Sequence, residues 1–154
     1  MNKKMTRFLP AVLLAAFSSH ALAAAFQLLE QNASGLGVAY AGSAAVADNA
    51  STIFYNPAGM TLLPGRQISL GVNAIGPSYK FTNIASTTVG GNGGDAGGWA
   101  AVPNAYVSWQ LTPQWFVGLG ISAPFGLATE YEDPNWIGRF HALKSEIKTV
   151  NLNP

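Results

Sequence analysis

The chain has 154 residues, 49% of them hydrophobic and only 10% charged, against roughly 25% charged in an ordinary soluble domain. After the first 23 residues no uncharged apolar run approaches the ~18 residues of a membrane-spanning helix, which rules out a helical membrane protein. With no cysteine there is no disulfide scaffold, thiolate metal site or cysteine nucleophile, and a formal net charge of +1 leaves no basic patch for nucleic acid.

Three of the eight basic residues, Lys3, Lys4 and Arg7, precede an apolar stretch from Phe8 to Phe17, and Ala21 and Ala23 supply small residues at a cleavage site. That three-part layout predicts an exported chain with a cleavable signal peptide over residues 1–23. The apolar stretch is too short for a membrane anchor. Residues 24–65 do not read as strand. Between Ala33 and Ala50 ten of eighteen residues are Ala or Gly, which permits close backbone approach but builds no core, so the segment is expected to pack inside something larger. Asp48 or Asn49 can cap a short helical turn through Tyr55, Pro57 interrupts it, and Asn56-Pro57-Ala58-Gly59 opens another turn.

From Gln67 the period becomes two: Ile68, Leu70, Val72 and Ala74 alternate with Gln67, Ser69, Gly71 and Asn73, one apolar and one polar face. The parity slips after Ala74, so a bulge is expected near Gly76-Pro77, with Tyr79 and Phe81 sharing a face beyond it. Residues 82–98, rich in Gly, Ser, Thr and Asn, read as a long flexible loop. A second strand is expected over about 102–111 and a third over 115–123, joined by a tight turn at Thr112-Pro113-Gln114 into a hairpin. Residues 127–141 read as another loop and 143–152 as a weaker fourth strand.

Strands of about ten residues with one polar face, long loops alternating with short turns, and aromatics at two heights match an outer-membrane barrel. Trp109 and Trp115 flank the short turn, while Tyr79, Phe81 and Trp99 border the long loop. A secreted β-sandwich also has alternating strands, but scarce charge and unequal loops speak against it. Four strands cannot close a barrel, since an open edge in lipid leaves backbone groups unpaired. The fold class expected is therefore all-β: the N-terminal part of an antiparallel transmembrane β-barrel with a small, partly helical N-terminal hatch, or plug, over residues 24–65 and about four strands over 66–154.

In order along the chain, Ala25-Phe26-Gln27-Leu28, Ala33-Ser34-Gly35-Leu36-Gly37, Ala39-Tyr40-Ala41-Gly42, Ala47-Asp48-Asn49-Ala50-Ser51-Thr52, Tyr55-Asn56-Pro57-Ala58-Gly59-Met60, Gly126-Leu127-Ala128-Thr129-Glu130-Tyr131 and Asn151-Leu152-Asn153 resemble the FadL family. These are long-chain fatty acid transporters of Gram-negative outer membranes, with relatives that import aromatic hydrocarbons. The resemblance covers essentially the whole chain after the signal. It implies a monomeric barrel of about fourteen strands, plugged by the hatch, in contact with outer membrane lipid and lipopolysaccharide. It also implies passive uptake of a hydrophobic small molecule, fatty acid or aromatic hydrocarbon, with no cofactor, no metal and no covalent chemistry. The family's Asn-Pro-Ala motif falls on Asn56, Pro57 and Ala58. Phe26 matches a residue that reaches toward bound ligand, so movement of this terminus could release cargo.

Pro124 has no N–H and Gly126 no side chain, so Ala123, Pro124, Phe125 and Gly126 are expected to interrupt the third strand. Family members carry a kink there that opens a lateral window; the other reading is that Pro124 ends the strand at the outer rim. The choice of this proline rests on its chemistry, not on the resemblance. The rival function is a structural or adhesive surface barrel without transport, and a third is a lipase-type enzyme. Serine catalysis lacks a base here, because His141 is the sole histidine after the signal and reads as a surface residue. Gly35-Leu36-Gly37 has Tyr40 where a dinucleotide fingerprint needs its third glycine. Glu130, Glu132 and Asp133 read as a solvated loop rather than a calcium site. Arg139 and Lys144 could meet a carboxylate headgroup near the mouth.

Overall fold

The structure, a computed structural model, describes residues 27–154; the expected signal peptide and Phe26 lie outside them. Three long antiparallel strands carry the fold: β1 (Arg66–Ile75), β2 (Ala100–Thr112) and β3 (Trp115–Ser122). Three short ones follow, β4 (Ala128–Glu130), β5 (Lys144–Glu146) and β6 (Asn151–Asn153). The main sheet has the order β1-β2-β3-β6, with β4 paired to β5 beside it. All pairs are antiparallel; β1, β2 and β3 are consecutive neighbours, the up-and-down pattern of a barrel wall, and β6 joins β3 after the β4-β5 pair.

β1 and β2 pair without a slip from Arg66 opposite Trp109 to Ile75 opposite Ala100. The bulge expected near Gly76-Pro77 is absent: β1 simply ends at Ile75, two residues before Pro77, which has no N–H for the ladder. A register shift occurs instead at the far end of β2, between Gln110 and Thr112. There the Thr112 hydroxyl accepts from the Gln114 and Trp115 amides at 3.3 and 3.1 Å, which closes the two-residue turn. Tyr79 and Phe81 do not share a strand face, because both lie in the loop between β1 and β2.

The fourth strand expected over 143–152 is present in two pieces, β5 and β6, and the loop expected over 127–141 begins with β4. The pieces belong to one interrupted ladder. Ser122 stands opposite Asn151; three residues on, Phe125 exchanges backbone and side-chain bonds with Thr149, only two residues back on the partner. The Ile147 amide then donates to the Leu127 carbonyl, and Ala128 faces Glu146. One extra residue at Ala123-Pro124 is the two-against-one count of a β-bulge.

The burial of the sheet is inverted relative to a water-soluble protein. Ile68, Leu70, Val72, Val117, Leu119 and Ile121 are exposed, Leu70 by 77%, while Asn73, Asn104, Ser108 and Ser122 are buried on the opposite face. What covers the polar face is residues 27–65, which contain no strand. They form a 3-10 turn at Leu36–Val38, the one-turn helix α1 (Thr52–Tyr55) and a longer 3-10 turn at Pro57–Leu62. The small core is therefore a junction between segments: Ala50 and Ile53 from the N-terminal segment against Tyr106 of β2, flanked by Phe54 and Met60.

Candidate functional site

The N-terminal segment meets the polar face through hydrogen bonds between distant parts of the chain. The Asn73 amide donates to the Glu30 carbonyl at 2.7 Å, the Tyr106 hydroxyl to the Gln31 carbonyl at 2.7 Å, and the Ser69 hydroxyl to Asn49 Oδ1 at 2.9 Å. Asn153 of β6 donates to the Ile53 carbonyl at 2.8 Å. Alternation along β1 and β2 brings these donors to one face, so polar side chains that look solvent-facing in the sequence serve as docking groups.

Between these contacts the wall is thinned. A Cβ on Gly118 would lie 2.5 Å from Met60 Sδ and 2.7 Å from Ile53 Cδ1, and one on Gly120 would lie 2.8 Å from the Tyr106 ring. Ile53 is fully buried in that space.

The three motif residues follow α1 directly, Asn56 ending it and Pro57 and Ala58 starting the 3-10 turn. Asn56, extended at φ −156°, accepts from the Ala58 amide through Oδ1 at 3.2 Å and donates through Nδ2 to the Ala44 carbonyl at 2.8 Å. Pro57 takes the first position of the 3-10 turn, where its missing N–H costs nothing. Neither Asp48 nor Asn49 caps α1 as expected: its N-cap is Ser51, without a side-chain cap bond, and Asn49 Oδ1 accepts from the Ser51 amide at 3.0 Å in the turn before it.

Ala123, Pro124, Phe125 and Gly126 lie at the bulge. Pro124's carbonyl accepts from the Leu28 amide at 2.8 Å, and Gln31 Nε2 approaches the Ala123 carbonyl at 3.5 Å while bonding Leu28's at 2.9 Å. An open, mainly apolar groove of about 500 Å³ adjoins this contact, lined by Gln27, Leu28, Tyr79, Phe125, Leu127 and Ile147 among others. A cavity of mixed lining among Asn32, Val38, Tyr40, Val46 and Asn49 offers only about 70 Å³, too little for more than a few waters. Among the described residues no hydrogen bond joins the Asn56 group to the bulge; residues 27–31 are what touches it.

The cations considered for a headgroup are engaged elsewhere. Arg139 Nη1 donates to the Val89, Asn135 and Trp136 carbonyls, and Lys144 pairs with Glu130 at 2.9 Å. Arg139 thereby ties the 76–99 loop to the 131–143 loop, with Trp136 stacked on Tyr131 and edge-on to Phe81. Phe81 thus belongs to a loop cluster and Tyr79 to the groove, whereas Trp99 is exposed, as are Trp109 and Trp115 beside the short turn. In the N-terminal segment burial, helped by Glu30, raises the Tyr40 phenol above its ordinary value, and burial raises Tyr55 well above it. Both phenols stay neutral and hold carbonyls, Tyr40 that of Asn32 at 2.8 Å and Tyr55 that of Leu29 at 3.2 Å.

Sequence reasoning did not reach Leu28, Gln31, Tyr106, Gly118, Gly120 or Thr149. One signal was present: Asn73, Asn104, Ser108 and the Gly118/Gly120 pair all fall on one face of the period-two pattern, polar or small except at positions such as Tyr106 and Phe116.

Against known proteins, a family model described as outer membrane protein transport protein (OMPP1/FadL/TodX) matches residues 14–154. The 47 kDa outer membrane protein of Pasteurella multocida is 39% identical over 156 residues, covering 99% of this chain and 35% of that protein. The long-chain fatty acid transport protein of Escherichia coli K12 is 36% identical over 146 residues, covering 93% and 32%. The crystal structure of a Pseudomonas aeruginosa FadL homologue superposes with a TM-score of 0.68 at 27% identity, over 84% of this chain and 33% of that one. The chain thus spans about a third of the length of the curated relatives it matches. It belongs to the outer membrane transport protein family OMPP1/FadL/TodX, and its sheet is the N-terminal part of an antiparallel transmembrane β-barrel.

Proposed function

We propose that this chain, as the N-terminal part of such a barrel, takes part in passive uptake of long-chain fatty acids or other hydrophobic small molecules across the outer membrane. Residues 1–23 act as the export signal. Residues 24–65 are the hatch that stoppers a monomeric barrel, and residues 66–154 are its first strands, set among outer membrane lipid and lipopolysaccharide. No covalent chemistry is involved. Cargo reaches the apolar groove beside the hatch, the chain around Phe26 to Gln31 shifts, and cargo leaves sideways at Ala123 to Gly126, where the ladder carries an extra residue. Transfer of the solute out of water drives the process, at about 0.8 kcal/mol per methylene.

The observation that carries this reading is the bond from the Leu28 amide to the Pro124 carbonyl. A bulge frees a ladder carbonyl, and the start of the hatch supplies its donor from inside the wall. Lifting residues 27–31 would uncover the bulge and the groove together.

The test replaces residues 123–126 of the full-length protein by a regular Val/Ser alternation with one residue removed, so that register continues from β3 into β4. Uptake of a labelled long-chain fatty acid by cells should fall to that of cells lacking the gene, while the protein still reaches the outer membrane in normal amount. Normal uptake through a well-inserted variant would remove lateral release. Uptake unchanged by deletion of the gene, with no apolar ligand bound by the purified protein, would leave the structural barrel as the reading.

A further inference from the structure

We infer that Gly118 and Gly120 of β3 form the seat that positions the hatch, a keyed contact in which Ile53 and Met60 occupy the space two side chains would otherwise fill. The inference rests on the hatch reading above and goes beyond it by naming what holds the plug to the strand that carries the bulge.

Two glycines at alternate positions weaken a strand, since each carries an entropic cost and offers nothing to pack. Neither has a positive φ, so neither is there for backbone conformation. What they provide is depth. On the inward side of β3 the side chains would be those of Phe116, Gly118, Gly120 and Ser122, and the missing pair lies directly under α1 and the 3-10 turn at Pro57–Leu62. Ile53 Cδ1 and Met60 Sδ stand within 2.7 Å of where a Gly118 Cβ would be, and Ile53 Cγ2 stands 3.4 Å from the corresponding Gly120 position. Tyr106, paired with Gly120 across the sheet, closes one side of the recess and holds Gln31 by its hydroxyl. Asn153 closes the other by holding the Ile53 carbonyl.

The placement has a mechanical consequence. Gly120 is three residues before Ala123, so the seat lies at the end of β3 that leads directly into the bulge. The buried apolar cluster among the described residues, Ala50 and Ile53 against Tyr106 of β2, borders the same recess, since Ile53 and Tyr106 are among the nearest neighbours of the two missing side chains. Hydrogen bonds add to it at Glu30, Gln31 and Asn49, and Gly65 exchanges two with Gln110. Gly118 and Gly120 are therefore positioning residues for passage: they set the depth at which residues 27–31 meet Ala123 and Pro124.

The test uses the full-length protein, free of other cysteines, with Ser51→Cys as reporter, because residue 51 is buried two positions before Ile53. Maleimide labelling of the introduced thiol in outer membrane preparations reads the seating of the hatch without reference to transport. Gly118→Val should speed labelling by about tenfold or more, as expected when local opening governs a buried thiol. Adding Ile53→Ala and Met60→Ala to Gly118→Val should restore slow labelling by returning the volume. Ile53→Ala alone, which leaves the wall untouched, should also speed it, and decides the matter if Gly118→Val yields no inserted barrel. Labelling unchanged in both Gly118→Val and Ile53→Ala, or no rescue in the combined variant, would overturn the seat. Faster labelling with unchanged fatty acid uptake would uphold the seat and overturn hatch gating instead.

Discussion

Asn56 does two jobs with one side chain. Its Oδ1 satisfies the first free amide of the 3-10 turn, and its Nδ2 pins the carbonyl of Ala44, twelve positions earlier, so the loop before α1 and the turn after it are fixed to one another. Aspartate can replace the first contact but not the second; alanine can replace neither. A cap of this kind contributes about 1 kcal/mol, a factor of about five in local opening. Hydrogen exchange at the Ala58 amide should therefore speed up roughly fivefold in Asn56→Ala and change little in Asn56→Asp. Equal exchange in parent and Asn56→Ala would show that the bond to Oδ1 is not what protects this turn. The Arg66 guanidinium lies 4.2 Å above the Trp109 ring, directly across the β1-β2 ladder. That places a cation and an amphipathic ring together at the end of the sheet with the short turn, where interfacial girdles of barrels lie.

The two ends of the loop between β1 and β2 are gathered at one carboxylate. Asp95 accepts from the Ser78 hydroxyl at 2.5 Å, from the Tyr79 amide at 2.8 Å and from the Gly97 amide at 2.9 Å, and Lys80 forms an isolated β-bridge with the same residue. These donors, the Ser78 hydroxyl first, hold its pKa below the ordinary aspartate value. A lowered folded-state pKa means that the contribution is present above the unfolded value and is lost as pH falls through the folded one. Exchange at Tyr79 and Gly97, corrected for the intrinsic rate, should accelerate only as pH drops below about 4. Asp95→Asn should lack that step; a step retained in Asp95→Asn would assign it to another group. The sequence marks this loop only as flexible, because Gly- and Ser-rich composition says where regular structure stops and not which carboxylate gathers the ends. The alternation from Gln67 to Asn73 is legible for the opposite reason: period two is a local property, and it fixes both the strand and its two faces. The bulge is half legible. Proline chemistry marks Ala123 to Gly126, but the extra residue and the Leu28 donor depend on partners 24 or more positions away.

At the scale of the whole molecule the deciding fact is which face of the sheet is covered. A sandwich and a barrel wall share the same alternation, and the sequence alone could separate them only by charge content and loop lengths. The structure separates them by burial: the N-terminal segment covers Asn73, Asn104, Ser108 and Ser122, leaving Leu70 and its row outward. In water that arrangement would place a broad apolar patch on the surface; in a bilayer it is the required one. The two cases answer a single substitution differently. Leu70, near the middle of β1 and 77% exposed, would tolerate arginine at almost no cost in a water-soluble protein. In a barrel wall at the bilayer midplane the same change costs about 2–4 kcal/mol. Urea unfolding of the full-length protein from phosphatidylcholine vesicles should therefore show Leu70→Arg destabilised by that amount, with Ser86→Arg, in an exposed part of the loop, unchanged. If Leu70→Arg were as stable as the parent in vesicles, the outward row would not be facing hydrocarbon, and the hatch, the seat at Gly118 and Gly120 and sideways release would lose their common frame.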